Sequence, residues 1–443
     1  MKHTILSLVA AVIPGLAFAA ETPDTTDIQS GKKLEIVRTT PEVAKILNKT
    51  RPHEAGAIPT PKFVLKSGNN NFIMTIGGQI NLIVGGDMGN DLYNQSGAGI
   101  SFVTNQIPVP AQSGHKGDFY INPLYSQMDM QIVGLANSDN EVTGYLKIGT
   151  NGNTTSVNLM RAYVTWRGFT GGQKLTLFQD DYACQPPTID PEGPSGEVST
   201  VSYELSYKSK SYNGFRFALG LDIPTYYSAN GIYLGHDFTN FEDKQVTTDV
   251  NQIVPDIPMW VEYSFSQWNR IRFSGIIRNF AYKDLLANQT RHNVGWGVML
   301  SGNIQPASQW IIYYQAAYGA GIGNYIQDIA GHPYSFIPND SKPGYMKPAP
   351  MLGANIGVSF NPTKKLQFNA MFSEARIWDV RDYANAGEEI NNYKYALYGA
   401  VNGFYTINSF LQVGLEYLYG HRETWNMGGA NDSRLQAELS FTF

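Results

Sequence analysis

Apolar and polar side chains alternate strictly along the last nine residues of the chain, which read LQAELSFTF. Leu435, Leu439 and Phe443 belong to the apolar set, whereas Gln436 and Glu438 belong to the polar set. A period of two predicts a strand with one apolar and one polar face. Such a strand can end a soluble sheet, or it can turn its apolar face to lipid and its polar face to a water-filled lumen.

The same alternation returns throughout the chain from about residue 71, where the first segment reads FIMTIGGQINLIV. Further segments begin near residues 123, 141, 157, 173, 199, 214, 257, 268, 291, 308, 350, 365, 392, 408 and 433. The pattern therefore predicts about sixteen strands, each near the 9 to 11 residues that a tilted strand needs to cross a bilayer.

The connections between these segments alternate between short and long. The short ones are 136–140, 168–172, 266–269, 303–308, 361–365 and 405–408. The long ones are 84–117, 180–198, 223–256, 280–290, 320–349, 376–391 and 420–432. Short turns on one rim and long loops on the other are typical of an outer-membrane barrel. We therefore predict an all-β, transmembrane antiparallel barrel over residues 71–443, with short periplasmic turns and long extracellular loops.

The N-terminus reads MKHTILSLVAAVIPGLAFAA, with Lys2 before an apolar run and an A-x-A site at its end. This pattern predicts a secretory signal peptide over residues 1–19. Residues 20–70 are polar and rich in proline, and we interpret them as a periplasmic tail or linker, either a tether or a binding segment. Export together with a barrel predicts the outer membrane of a Gram-negative bacterium.

Composition narrows the function further. The chain has 27 Tyr and 44 Gly among 443 residues, which suits an outer-membrane barrel. The net charge of −5 offers no general attraction for nucleic acid. Cys184 is the single cysteine, so a Cys/His metal site is disfavoured. No nucleophile elbow, zinc helix or phosphate loop occurs, and we predict neither an enzyme nor a cofactor.

Basic residues fall on the predicted lumen face. Arg270, Arg272 and Arg278 share one face of the segment WNRIRFSGIIRNF, opposite an apolar face. The opposite phase would place them in lipid, at about 2 to 4 kcal/mol each near the midplane. Arg161 and Lys147 also point inward by phase. We expect these five residues to line the pore and bind solute; the alternative is that inward arginines pair with inward glutamates to solvate the wall.

Two stretches, RAYVTWRGFTGGQKLTLFQDD and TIDPEGPSGE, resemble the DcaP-like outer-membrane porins. The resemblance implies a sixteen-stranded barrel, a homotrimer and diffusion of small anions, including dicarboxylates. It matches Arg161 to the arginine of the family strand, and Glu192 and Gly193 to the third long loop. One departure is Arg167, which stands where the family often has glycine.

The connection 180–198 follows the fifth predicted strand and is therefore the third long loop. In sixteen-stranded porins this loop folds into the barrel and narrows it, so we expect a constriction loop here. Its acidic residues would face the wall arginines and create a transverse field; the alternative is an acidic loop exposed at the cell surface. These residues are Asp180, Asp181, Asp190, Glu192 and Glu197.

These features predict a porin that lets small hydrophilic solutes diffuse passively and favours anions such as dicarboxylates. Its expected partners are those solutes, the lipid of the outer membrane and two further copies of the chain. One alternative is a surface receptor or adhesin with a plugged barrel, which would bind through loops 223–256 and 320–349. Another is a barrel enzyme acting on lipids.

Overall fold

The computed structural model describes part of the chain, and every structural statement below concerns that part. The described residues are 35–37, 43, 46–47, 63–67, 71–89, 92, 99–110, 119–150, 156–180, 185–225, 247–252, 254–266, 268–330, 335–339, 341–342, 344–380 and 393–443. Among these residues, no helix has both the length and the apolar character needed to cross a membrane.

The described residues form mainly strands, with two short 3₁₀ turns at Thr104–Gln106 and Gly323–Tyr325 and helical residues at 43, 46, 47 and 92. The strands are β1 (Glu35–Val37), β2 (Phe63–Lys66), β3 (Phe72–Asp87), β4 (Phe119–Asn122), β5 (Gln127–Gly134), β6 (Val142–Gly149), β7 (Asn158–Trp166), β8 (Phe169–Leu175), β9 (Val201–Lys208), β10 (Phe215–Pro224), β11 (Thr247–Gln252), β12 (Ile257–Ser266), β13 (Asn269–Asp284), β14 (Gln289–Ala307), β15 (Trp310–Ala320), β16 (Phe336–Pro338), β17 (Met346–Pro348), β18 (Pro350–Phe360), β19 (Leu366–Ile377), β20 (Tyr393–Thr406), β21 (Leu411–Thr424) and β22 (Gly428–Thr442).

Antiparallel pairing closes the sheet into a barrel. The last strand, β22, pairs with β3, from Arg434 opposite Asp87 to Thr442 opposite Gln79. The barrel wall contains 16 strands. In this count β4 and β5 form one interrupted strand, and β11 and β12 form another. The strands β1 and β2 extend the sheet beside the start of β3, while β16 and β17 form a separate hairpin. The predicted fold class is confirmed.

The alternation seen in the sequence separates two environments. On β3, Ile80 is 54% exposed on the outside of the barrel, whereas the adjacent Asn81 is buried on the inside. The same contrast recurs on β7, where Val164 and Trp166 are exposed and face outward. An apolar outer face and a polar inner face let the wall meet lipid on one side and water on the other.

One predicted turn is wrong in its position. The sequence placed a turn at 168–172, but Trp166 pairs with Phe169 and only Arg167 and Gly168 lie between them. Both turn residues have positive φ, 50° and 88° respectively, as a two-residue hairpin with matching strand twist requires. Arg167 therefore occupies a left-handed position, which a glycine would adopt without steric cost.

Two predicted long loops are also wrong. The segments 280–290 and 420–432 are paired hairpins, closed by turns at 285–288 and 425–427. Strand β14 is 19 residues long, well beyond the length needed to cross a bilayer. Polar residues suggested loops there, yet continued pairing satisfies the backbone, and Asp284 and Arg291 meet across the hairpin at 2.7 Å.

Candidate functional site

Three of the connections on the loop-bearing rim turn into the barrel and pack against its inner wall. They are the first loop (88–118), the third loop (176–200) and the sixth loop (321–349). Phe102, Asp190 and Tyr325, one from each loop, are all at least 97% buried. The described parts of these loops therefore lie in the lumen rather than above it.

Near its beginning, the third loop is held to the wall by a cluster of buried charges. Asp180 forms ion pairs with Arg270 and Arg272 of β13 and accepts a hydrogen bond from the Ser301 hydroxyl at 2.6 Å. Both arginines also bind Glu262 of β12, so two cations meet two carboxylates. Burial alone would raise the pKa of Asp180, but Arg272 and Arg270 together lower it below its usual value. Asp180 is therefore held as a carboxylate.

The middle of the third loop is held on a different part of the wall by one carboxylate. Glu416 of β21 accepts hydrogen bonds from the backbone N–H groups of Ile189 and Asp190, at 3.0 and 2.8 Å. The side-chain amides of Asn402 and Gln436 donate to the same carboxylate at 2.7 and 2.9 Å. Each oxygen thus receives one loop donor and one wall donor, which fixes both the carboxylate and the loop.

Glycines let the loop approach the wall closely. A Cβ on Gly357 of β18 would lie 2.5 Å from Cδ of Pro186, so only a residue without a side chain leaves room for the proline. A Cβ on Gly196 in the loop would lie 2.0 Å from the carbonyl oxygen of Glu374. At this contact the N–H of Gly196 donates to Oγ of Ser373 at 2.7 Å. Steric fit and hydrogen bonding therefore fix the same register.

The first loop is bound to the third through Asp190. One carboxylate oxygen of Asp190 accepts from the backbone N–H of Phe102 at 2.9 Å. The other oxygen accepts from the Tyr398 hydroxyl of β20 at 2.9 Å. Burial raises the pKa of Asp190 despite these donors. A second link joins the Thr104 and Ser195 hydroxyls at 2.7 Å.

The sixth loop completes the network through Asp328. Its carboxylate accepts from the Thr104 hydroxyl at 2.8 Å and from the backbone N–H of Asn105 at 3.0 Å. The Tyr393 hydroxyl of β20 donates to the other oxygen at 2.6 Å. Burial raises the pKa of Asp328, and these donors counteract part of that effect. The three loops therefore form one hydrogen-bonded unit inside the barrel.

The three arginines of β13 that the sequence singled out are inside the barrel and deeply buried. Arg270, Arg272 and Arg278 are each at most 4% exposed. Arg278 donates to Asp256 at 2.9 Å and to the carbonyl oxygen of Gly321 in the sixth loop. These contacts match the alternative in which inward arginines pair with inward carboxylates. A role in solute passage stays a prediction for all three.

Lys147 and Arg161 lie on neighbouring strands, β6 and β7, directly opposite each other in the register. Asp129 of β5 is opposite Lys147 on its other side. Lys147 is 6% exposed, whereas Arg161 remains partly exposed and donates to the carbonyl oxygen of Met160 at 2.7 Å. Among the five predicted basic residues, Arg161 is thus the one that is not buried.

The predicted acidic residues of the third loop separate into two groups. Asp180, Asp190 and Glu197 are buried, and Glu192 is partly buried. Asp181 and Cys184 lie outside the described residues. The described acidic residues face into the lumen network; their effect on passing solutes stays a prediction.

Glu192 is the acidic residue of the loop with a pKa near neutrality. Its carboxylate accepts from the Gln327 amide at 2.6 Å. Burial raises the pKa of Glu192 to about 7, with a further increase from the nearby Asp190, while Gln327 counteracts part of the effect. The charge of this residue therefore changes close to physiological pH.

Sequence reasoning missed the insertion of the first and sixth loops and the anchoring role of Glu416. Alternation with the exposed Leu415 and Tyr417 puts Glu416 on the lumen face, but a period of two gives no partner for it. Inward glycines such as Gly357 were an available signal, because a small residue on a polar lumen face leaves space that something else fills. Within the described residues, no group of three or more His, Cys, Asp or Glu side chains could hold a metal ion.

Solved structures resemble this barrel, although no sequence does at the level of a family. The sequence matches no protein-family model and no curated protein. In structure it is similar to the outer membrane channel DcaP of Acinetobacter baumannii, with a TM-score of 0.66 and 15% identity over 85% of this chain and 99% of that one. It is also similar to the anion-selective porin from Comamonas acidovorans, with a TM-score of 0.50 and 9% identity over 84% and 100% of the chains.

At such low sequence identities the similarity shows a shared fold. At the level of the fold, it confirms the resemblance to the DcaP-like porins. The closed barrel of 16 strands confirms the predicted location in the outer membrane of a Gram-negative bacterium.

The anchoring role of Glu416 predicts the effect of Glu416→Gln. The amide nitrogen would face donors, so at least one loop N–H would lose its acceptor, at a cost of about 1 to 3 kcal/mol. We expect the third loop to detach intermittently and single-channel current noise to rise. A matched control is Glu438→Gln on β22, a wall carboxyl whose neutralisation leaves the Ile189 and Asp190 contacts in place. Equal noise in both variants would contradict the anchor.

Proposed function

We propose that the chain is a passive outer-membrane porin for small hydrophilic solutes, with a preference for anions such as dicarboxylates. The supporting observation is the position of the third loop. Its hydrogen bonds and ion pairs hold it to the wall between β10 and β21, whereas Lys147 and Arg161 stand on β6 and β7. A path between the loop and this basic wall would expose passing solutes to Arg161.

Electrostatics supports the preference for anions. The arginines of β13 are buried in ion pairs with carboxylates, whereas Arg161 on the β6–β7 wall is only partly buried and lies within reach of a solute. A basic side chain at a narrow, partly desolvated place attracts anions more strongly than it would in bulk water. Dicarboxylates suit such a site because they are small, polar and doubly charged.

The inserted loops support the restriction to small solutes. Three interlocked loops lie inside the barrel and narrow the lumen, and the wall itself contributes polar side chains such as Gln131 and Thr165. A solute that passes must therefore be small and must exchange its water for polar protein groups. The homotrimer remains part of the proposal and rests on the sequence resemblance.

A second candidate function is a surface receptor with a closed barrel. The observation in its favour is the same interlocking of three loops, since buried tyrosines such as Tyr325, Tyr393 and Tyr398 lie where an open pore would hold water. Purified protein in planar bilayers and in liposomes separates the two functions. The porin predicts stepwise conductance and swelling in sugars and dicarboxylates, whereas the receptor predicts neither.

The proposed role of Arg161 predicts the effect of Arg161→Gln. Loss of the accessible cation should move the reversal potential in a salt gradient toward cation preference, while the barrel still assembles. Arg161→Lys serves as the matched control, because it keeps the charge and should keep the anion preference. An unchanged reversal potential in the glutamine variant would contradict the role of this residue.

The raised pKa of Glu192 predicts a pH-dependent selectivity. Below about pH 7 the carboxyl is neutral, and above it the group adds a negative charge facing Asp190 and Asp328, beside Ser101 and Gln327. Anion preference should therefore fall between about pH 6 and about pH 8. Glu192→Gln should remove this change in reversal potential. A pH profile identical to that of the wild type would show that another group is responsible.

A further inference from the structure

Apolar side chains occupy lumen-facing positions where the short-turn rim begins. Ile73 and Val133 are opposite each other in the β3–β5 register and are fully buried. They share the inner face with polar Thr75 and Gln131, two residues further into the barrel. An apolar residue on a wet lumen face is unfavourable unless something covers it, at roughly 25 cal/mol for each Å² exposed.

The strand β2 extends this inner face. Val64 of β2 is paired with Thr75 and is therefore on the same, inward side of the sheet. The pairing of β2 begins at Phe63 opposite Ile76, just past the point where β22 ends opposite Gln79. The Phe63 and Phe443 rings meet edge to face, with centroids 6.3 Å apart. The strand β2 thus continues the barrel wall below the last strand.

Three residues of the N-terminal region cover the apolar patch. Val43, Ile46 and Leu47 are helical and at most 2% exposed. They form one cluster with Val64, Ile73 and Val133. Their spacing of three and four residues places them on one side of a helical turn. That side faces the inner wall, so these residues sit within the mouth of the barrel rather than on its outer surface.

We propose that Val43, Ile46 and Leu47 form a cap seated in the periplasmic mouth, which narrows the exit and sets the upper size of permeant solutes. This inference rests on the proposed porin function. It adds a second restriction of the lumen, at the short-turn rim, whereas the third loop enters the barrel from the long-loop rim. A simple tether would need no apolar patch on the lumen face. The buried cluster gives the segment a fixed seat.

Replacement of one seated residue tests the cap. Ile46→Asp would place a carboxylate in the apolar cluster and should release the segment, whereas Ile46→Val keeps the apolar contact and is the matched control. We expect single-channel conductance to rise roughly twofold, because conductance follows the narrowest open cross-section. Liposome swelling should extend to larger sugars in the aspartate variant only. The shift of the folded barrel on unheated gels confirms assembly.

A cross-link provides the second measurement. Ile46→Cys with Val133→Cys, in a Cys184→Ser background, should form a disulfide in the folded barrel, because the two side chains belong to one buried cluster. If folded barrels do not cross-link, the cap is overturned even when the aspartate variant fails to assemble. Cross-linked barrels that retain the wild-type size limit support it.

The two hypotheses fail differently. If the wild type conducts and the assembled Ile46→Asp variant has the same conductance and size limit, the cap is wrong and the porin stands. If neither the wild type nor the variant conducts, the porin proposal itself is overturned and the cap falls with it.

Discussion

The fold depends on the neutralisation of charges that the barrel holds away from bulk water. Arg270 and Arg272 stand side by side on the inner face of β13, and neither would be stable there alone. Glu262 on the next strand and Asp180 from the third loop supply the two opposite charges. Removing one partner from such a buried group costs about 3 to 5 kcal/mol. The third loop therefore stabilises the buried arginines of the wall, and these arginines in turn hold the loop in place.

The same constraint explains why the lumen is built from interlocked loops. Carboxylates of the loops and wall, such as Asp190, Asp328 and Glu416, each collect several donors from different segments. Glycine positions let the backbones come close enough for these bonds to form. The arginines of β13 and Arg161 of β7 share residue type and phase but differ in burial. The former are buried in ion pairs with carboxylates, whereas Arg161 is partly exposed.

Sequence alone predicted the barrel well because its main signal is local. A period of two identifies each strand and fixes which residues face lipid, as for Val164 and Arg161 on β7. The misplaced turn at Arg167 and Gly168 depended on backbone dihedral angles that an arginine does not signal. The extended β13–β14 hairpin was missed because polar residues at 280–290 resemble a loop. The sequence predicted that the acidic third loop would face the wall arginines, but it could not assign the individual pairs, since Asp180 and Arg270 are 90 residues apart and no periodicity relates them.

The central claim is that the third loop lies against the inner wall, and a cross-link between the two tests it most directly. Pro186→Cys and Gly357→Cys, in a Cys184→Ser background, place thiols where the loop and β18 touch. We expect intact cells to form this disulfide in the folded barrel without a large change in conductance. Folded barrels in which the two thiols never cross-link, and in which added protease cleaves the loop from outside the cell, would contradict it.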